Sequence, residues 1–252
     1  MRLFDSERIE MHTKLKTTIQ KYTDTHPLKE KFSWDFPLDD LPSAVVDLLP
    51  KSSAFENNIA LKRCLKNHLK CNGYSMEYWI IQKWGGIQGF KKNSKNDNKI
   101  TGLYDQVEKR SFSRDIFEVI SSLSKVVSFL NPSEYAVYDS RAIFSLNWLL
   151  LKSGAIDIFF PIPAAMNTEI AKYNIETIIR LKCGEKRELF LDNKTAYFEY
   201  CNLLKKLSLE IWNDEERRRM PFYLEMLLFI LGPQEIVGDI KKSISIDIGT
   251  TP

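Results

Sequence analysis

Residues 121–150, SSLSKVVSFLNPSEYAVYDSRAIFSLNWLL, constrain the fold strongly because most of their side chains are apolar or small. Two charged residues border the apolar parts of this stretch. Lys125 directly precedes VVSFL, and Asp139 follows YAVY just before a predicted hydrophobic helix. Charged side chains are seldom buried unless they are paired, cap a helix or serve a function. The fold must therefore give both residues a partner or a function.

The apolar spacing elsewhere predicts a mainly α-helical chain without internal repeats. A length of 252 residues suits one large domain or two small lobes. Helices are predicted at about 54–70, 75–84, 113–121, 125–130, 140–151, 167–181, 194–213 and 219–231. The residues SSLS and NPSEYAVYD are predicted to separate the helices within 113–151. The basic, polar stretch GFKKNSKNDNKITG predicts a mobile surface loop.

Several kinds of site and location are disfavoured by the composition. The four cysteines form no CxxC pair and the three histidines have no metal-ligand spacing, so neither a zinc site nor a disulfide framework is expected. The charged segment MRLFDSERIEMHTKLK is not the apolar core of a signal peptide, and no run approaches the roughly 18 apolar residues of a membrane span. We therefore expect a cytoplasmic protein without a membrane partner.

The formal charge of +3, from 36 basic and 33 acidic residues, does not by itself indicate a nucleic-acid binder. Its distribution is more informative, because lysines cluster at Lys91, Lys92 and Lys95. Such a cluster is either a solvated face or a surface that contacts phosphates.

Familiar catalytic motifs are missing from the sequence, including the phosphate loop, the H-E-x-x-H helix and the G-x-S-x-G elbow. GGIQG at 85–89 lacks the Lys-Ser/Thr of a nucleotide site and is typical of a helix end. No cofactor is therefore predicted. Asp139 suits a helix N-cap, and an N-cap carboxylate can also stabilise a developing cation. Lys125 either extends its ammonium to water or acts together with Asp139.

The segments SSLSKVVSFL, with Lys125, and AVYDSRAIFSL, with Asp139, resemble the helix-hairpin-helix DNA glycosylases. In that family a hairpin, a Gly/Pro-rich loop and an aspartate form the signature, and bifunctional members place a lysine at the second helix of the hairpin. This chain has serines in place of the family's G-x-G turn, and Asn131-Pro132-Ser133 in place of its loop. It therefore resembles a divergent branch, and one such branch comprises bacterial antiviral enzymes that remove glucosylated hydroxymethylcytosine from phage DNA.

The resemblance implies a single two-lobed helical unit over residues 1–252, with the hairpin and catalytic segment at about 113–151. It implies a monomeric DNA N-glycosylase that flips a modified base out of double-stranded DNA and excises it without a metal or cofactor. Lys125 and Asp139 are then the catalytic residues. Either Lys125 attacks the sugar and gives a lyase activity through a Schiff base, or Lys125 only positions the DNA and Asp139 activates water. The residues expected to contact DNA are Ser122, Ser124, Arg141, Lys91, Lys92 and Lys95. The residues expected around the base are Trp84, Tyr138, Trp148, Phe222 and Glu225.

Two other functions remain open from the sequence. A non-catalytic helical module that binds nucleic acid or a protein partner would use Lys125 for a phosphate and Asp139 as a helix cap. A helical enzyme acting on a small molecule is favoured less, because no cofactor motif is present. Each aromatic candidate for the base pocket, Trp79 among them, also suits an ordinary hydrophobic core.

Overall fold

A computed structural model describes residues 5–154, 158–164, 168–184 and 188–245. Over these ranges the protein is mainly helical, as the apolar spacing predicts, and it contains no β-strand. Phe159 and Phe190 form an isolated parallel bridge. The buried apolar side chains make one continuous core. No helix in the described ranges is long and apolar enough to cross a bilayer.

The described α-helices are, in chain order, α1 (Asp5–Thr25), α2 (Leu28–Lys31), α3 (Ser43–Val46), α4 (Ala54–Cys64), α5 (Ser75–Trp79), α6 (Ser94–Glu108), α7 (Arg114–Phe117), α8 (Ile120–Leu130), α9 (Ser140–Ser153), α10 (Thr168–Ala171), α11 (Ile175–Cys183), α12 (Ala196–Ile211), α13 (Glu215–Arg219), α14 (Phe222–Leu231) and α15 (Val237–Ser243). Single 3₁₀ turns span Leu65–His68 and Asn72–Tyr74, and π turns span Ile80–Trp84 and Gly232–Ile236. Helix is present in each predicted range, but two of these ranges are divided. The range 113–121 contains α7 and the start of α8, and the described part of 167–181 contains α10 and α11.

The predicted break at SSLS is wrong, because α8 begins at Ile120 and runs through these four residues. Ser124 is fully buried, and its hydroxyl accepts a hydrogen bond from the Tyr138 backbone N–H at 2.9 Å. The apolar residues Leu123, Val126 and Val127 are also fully buried in α8. Serine favours turns when its hydroxyl bonds to its own backbone, but here a distant segment takes the hydroxyl and the helix continues.

The predicted mobile loop at GFKKNSKNDNKITG is also wrong, because most of this stretch forms the first turns of α6. The Asn93 side chain caps the helix by accepting a hydrogen bond from Asn96 N at 2.9 Å. Buried residues then follow at helical spacing, and they are Ile100, Leu103, Tyr104 and Val107. The high polarity of the stretch reflects the exposed side of a helix, and the apolar side lies mostly beyond the stretch itself.

Three helices, α8, α9 and α14, place the candidate site. Helix α9 packs along α14, and the Ser145 hydroxyl of α9 lies 2.7 Å from the Leu228 carbonyl oxygen of α14. Gly232 lets the two helices approach, since a Cβ there would lie 3.2 Å from the Arg141 carbonyl oxygen. Helix α8 contacts α4 and the turn at 80–84. These contacts bring five separate parts of the chain, α4, the turn at 80–84, α8, α9 and α14, to one pocket.

Candidate active site

An extended segment before α9 brings Asp139 beside α8. On one side of this segment, the Ser124 hydroxyl of α8 accepts the Tyr138 N–H. On the other side, the hydroxyls of Tyr197 and Tyr200 donate to the carbonyl oxygens of Ala136 and Val137 at 3.0 and 3.1 Å. These hydrogen bonds to its backbone groups hold the buried segment in one conformation.

Asp139 is the N-cap of α9, as its position in the sequence predicts. Its Oδ1 accepts a hydrogen bond from the Arg141 backbone N–H at 2.9 Å and lies 3.4 Å from Arg141 Nε. Its Oδ2 lies 3.7 Å from Lys125 Nζ. The predicted convergence of Lys125 and Asp139 on one cleft is therefore confirmed. Two cationic side chains and the N-terminus of α9 thus surround this carboxyl group.

Lys125 is a buried amine with only 5% of its surface exposed. Its Nζ donates a hydrogen bond to the Ser121 carbonyl oxygen at 2.8 Å. Burial lowers the pKa of Lys125, while the charges of Asp139 and Glu225 act in the opposite direction. A lysine with a lowered pKa has more of the neutral amine that acts as a nucleophile.

Lys62 of α4 is a second buried lysine, although it belongs to a basic run that is typical of a solvated face. Its Nζ donates to the Ser128 hydroxyl at 2.9 Å, and the Ser128 hydroxyl donates to the Lys125 carbonyl oxygen at 2.7 Å. Three rings, those of Trp84, Phe129 and Phe222, lie 4.5–5.6 Å from this nitrogen. These are cation–π distances, so the rings offset part of the cost of burying the charge.

Burial also lowers the pKa of Lys62 to about 8, with Glu225 opposing this shift and Lys125 reinforcing it. The sequence does contain a signal for the position of Lys62. It continues the spacing of Phe55, Asn58 and Ile59, the buried face of α4. A lysine on an apolar helix face is a candidate for burial even when other lysines and arginines surround it in sequence.

Glu225 of α14 is buried, with 5% of its surface exposed. Within the described part of the chain, its carboxyl makes neither a hydrogen bond nor an ion pair. Burial raises its pKa to about 7, the nearby Lys62 charge lowers it, and Asp139 raises it. A buried carboxyl of this kind can donate or accept a proton near neutral pH.

One cavity of about 30 Å³ joins these groups. Its wall consists of Phe32, Trp34, Lys62, Trp84, Gly85, Lys125, Val137, Asp139, Arg141, Glu225, Met226 and Phe229. Trp34 donates to the Trp84 carbonyl oxygen at 2.7 Å, and the Arg141 guanidinium stacks 3.5 Å above the Phe229 ring. The cavity has room for water but is much smaller than pockets that hold organic ligands, which reach roughly 300 Å³ or more.

Among the residues predicted around the base, Trp84 and Glu225 line this cavity, together with Lys125, Asp139 and Arg141. Tyr138 and Trp148 do not. The Tyr138 hydroxyl donates to the Pro161 carbonyl oxygen, and Trp148 Nε1 donates to Asp239 Oδ2 at 2.7 Å. Phe222 packs against Lys62 without lining the cavity. Trp79 does not line the cavity either, and its Nε1 donates to the Asp39 carbonyl oxygen.

The residues predicted to contact DNA divide into two groups. Ser122 and Ser124 are buried in α8, so their side chains do not face solvent and the predicted DNA contact does not fit their position. Lys91 and Lys92 are exposed on the segment that leads into α6, and Lys95 is exposed in the first turn of α6. Arg141 is partly buried, with 18% of its side chain exposed, and it lines the cavity.

No group of His, Cys, Asp or Glu side chains in the described ranges is arranged to hold a metal ion. No protein-family model matches the chain, and no curated protein or solved structure is significantly similar to it. The arrangement of Lys125, Asp139, Lys62 and Glu225 in one cavity is therefore the basis for the functional argument.

Proposed function

We propose that this protein is a DNA glycosylase that excises a modified base from double-stranded DNA. The observation that carries the proposal is the pairing of a buried lysine with a helix-capping aspartate, Lys125 Nζ and Asp139 Oδ2, at 3.7 Å in one aromatic-walled cavity. The resemblance of SSLSKVVSFL and AVYDSRAIFSL to the helix-hairpin-helix glycosylases supports the same assignment. We also propose that the protein has the two-lobed fold of that family and acts as a monomer.

The chemistry would begin with a nucleotide flipped out of the duplex, at a cost of a few kcal/mol. The neutral amine of Lys125 would attack the sugar C1′ as the bond to the base breaks. The carboxylate of Asp139 would stabilise the positive charge that develops on the sugar. The product on the DNA is an imine with Lys125, which gives the enzyme a lyase activity.

The small cavity implies that a base enters only after side chains move. The partly exposed members of the wall are Trp34, Gly85, Asp139, Arg141 and Phe229. Arg141 stacks on Phe229 and lies 5.2 Å from the Trp34 ring. We propose that this stack opens when a base enters, and that Trp34 and Trp84 then contact the base.

The base itself is proposed to be a modified one, because the resemblance extends to the antiviral branch that removes glucosylated hydroxymethylcytosine from phage DNA. Oxidised and alkylated bases are the other substrates to be tested. The alternative function is a non-catalytic helical module that binds nucleic acid or a protein partner. In that case Lys125 would contact a phosphate and Asp139 would serve only as the cap of α9.

The test is to trap the imine. The wild-type protein is incubated with borohydride and with each of three DNAs, namely phage DNA with glucosylated hydroxymethylcytosine and duplexes with one oxidised or one alkylated base. Borohydride reduces the imine to a stable amine, so the protein should become attached to one of these DNAs. Lys125→Gln should lose the attachment and most base release. Asp139→Asn, which can still cap α9, should release base slowly.

Robust base release by Lys125→Gln, without trapping of the wild type, would instead assign Asp139 and water as the reacting pair. If the wild type releases no base from any of these DNAs but binds them, the binding module is the correct function. Circular dichroism and thermal melting of each variant separate loss of chemistry from loss of the fold.

A further inference from the structure

Glu225 has a buried carboxyl group that takes no part in the reaction proposed for Lys125 and Asp139. It lies on α14, opposite the two residues in the same cavity, and has no hydrogen-bond or ion-pair partner among the described residues. An unpaired carboxyl costs free energy to bury, so its position calls for a physical explanation. Because it faces a cavity and lacks a partner in the described part of the protein, its oxygens are open to a bound molecule.

We infer that Glu225 is the general acid that protonates the departing base, a role that rests on the proposed glycosylase activity. A base that leaves as an anion is a poor leaving group, and a proton delivered to it as the bond breaks lowers the barrier. The ligand atom assigned to Glu225 is therefore a nitrogen or oxygen of a heterocyclic base that gains a proton during excision.

Asp139 and Glu225 differ in the contacts that they make. Asp139 accepts a hydrogen bond from a backbone N–H and lies beside Lys125 and Arg141. Glu225 has none of these hydrogen bonds. Two carboxyls with opposed environments in one site can divide the work, with one as the anion and the other as the acid.

Every charged or titratable group that faces Glu225 belongs to another element. They are Lys62 of α4, Lys125 of α8, Asp139 and Arg141 at the start of α9, and the buried Tyr200 of α12. The three cations favour the ionised carboxylate, whereas burial and Asp139 favour the neutral acid. Burial is the largest of these effects and raises the pKa of Glu225 to about 7. Part of the protein therefore carries the acidic proton near neutral pH.

Bonds and protons balance in this step. The Lys125 nitrogen donates its electron pair to C1′ while the electrons of the bond from C1′ to the base pass to the base. The proton of the Glu225 carboxyl goes to the base, which leaves as a neutral molecule. The new ammonium on Lys125 then gives one of its protons to the oxygen of the sugar ring as the bond from C1′ to that oxygen breaks, which leaves a protonated imine on Lys125. No oxidant or reductant is required.

The test compares two DNAs with one variant. Glu225→Gln should lower the rate of base release about 100-fold or more on the modified DNA that the wild type cleaves. The same variant should still be trapped by borohydride on a duplex with a preformed abasic site, because no base remains to be protonated there. The matched control is Glu235→Gln, which changes a half-exposed carboxylate close in sequence and should leave both rates unchanged.

The pH profile is the second measurement. Base release by the wild type should decline above the pKa of Glu225, and this alkaline decline should be absent in Glu225→Gln because glutamine does not titrate. If Glu225→Gln released base at the wild-type rate, or lost trapping on abasic DNA as well, the inference would be overturned while the proposed function stands. Absence of base release by the wild type would overturn both.

Discussion

Gly85 leaves the space that the side chain of Lys125 occupies. A Cβ built on Gly85 would lie 2.6 Å from Lys125 Cε and 2.7 Å from the Ile81 carbonyl oxygen, closer than real Cβ atoms approach other atoms. The glycine ends the turn at 80–84 with an ordinary right-handed backbone, so the space is its main contribution here. The first glycine of GGIQG, Gly85, thus leaves room for the side chain of Lys125, the proposed nucleophile.

Gly85→Ala should therefore displace Lys125 and the turn beside it. We expect a loss of about 1–3 kcal/mol in the free energy of unfolding, as for other overpacked sites, and weaker imine trapping. Urea denaturation and borohydride trapping measure the two effects. Gly89→Ala is the matched control, because no atom lies within 4 Å of a Cβ at that position. Equal stability and equal trapping for the two variants would contradict the assigned role of Gly85.

Two serines of α8 should respond differently to the same substitution. Ser124→Ala removes the acceptor of the buried Tyr138 N–H, so we expect a loss of about 1–3 kcal/mol in stability. The Ser121 hydroxyl is buried and has no hydrogen-bond partner among the residues that the structure describes. Ser121→Ala should be neutral or slightly stabilising, since it removes an unpaired polar group. Thermal melting of both variants checks the difference, and a larger loss for Ser121→Ala would contradict it.

The free energy of unfolding should depend on pH through Glu225 and Lys62. The pKa of Glu225 rises from 4.5 to about 7 on folding, so the folded chain holds a proton that the unfolded chain has lost in this window. Stability should fall as the pH rises from 4.5 to 7, by on the order of 3 kcal/mol. The pKa of Lys62 falls from 10.5 to about 8, so stability should rise again from pH 8 to 10.5.

Urea denaturation at about pH 5, 6, 7 and 8 measures this dependence, and the variant Glu225→Gln isolates the carboxyl. The decline over the acidic half of this range should be smaller in Glu225→Gln than in the wild type, because the amide does not titrate. Identical curves for the two proteins would show that the Glu225 carboxyl does not titrate differently in the folded and unfolded chains.

Charge reversal at Lys91, Lys92 and Lys95 should weaken DNA binding for all sequences alike. Lysines that bind phosphates release counterions, so the slope of log affinity against log salt should fall by about 0.9 for each phosphate that a lysine no longer neutralises. The control reverses three other exposed lysines, Lys21, Lys31 and Lys206, and keeps the same net charge. Unchanged affinity and slope in the first variant would mean that its lysines are only solvated surface.

Short-range rules explain how much of the site was predictable. An aspartate before SRAIFSLNWLL predicts an N-cap, and Asp139 is one, because capping involves only the next few residues. The helices α9, α12 and α14 follow from apolar spacing in the same way. The chemical roles of Lys125 and Asp139, and the glycosylase function, remain predictions for the trapping experiment.

The sequence by itself determined the mainly helical fold and the helix cap at Asp139, and it showed that Lys125 directly precedes the apolar residues VVSFL. Each of these features depends on neighbours within a few helical turns. Only the tertiary structure decided that SSLS lies inside α8 and that Lys62 joins Lys125 in one cavity, where Glu225, expected near the base from the resemblance, also lies. The partner of Ser124 is a backbone N–H fourteen residues away, and Lys62 and Glu225 come from α4 and α14. These side chains are buried and lose contact with water because elements far apart in sequence pack against each other. The local spacing of apolar residues does not encode that packing.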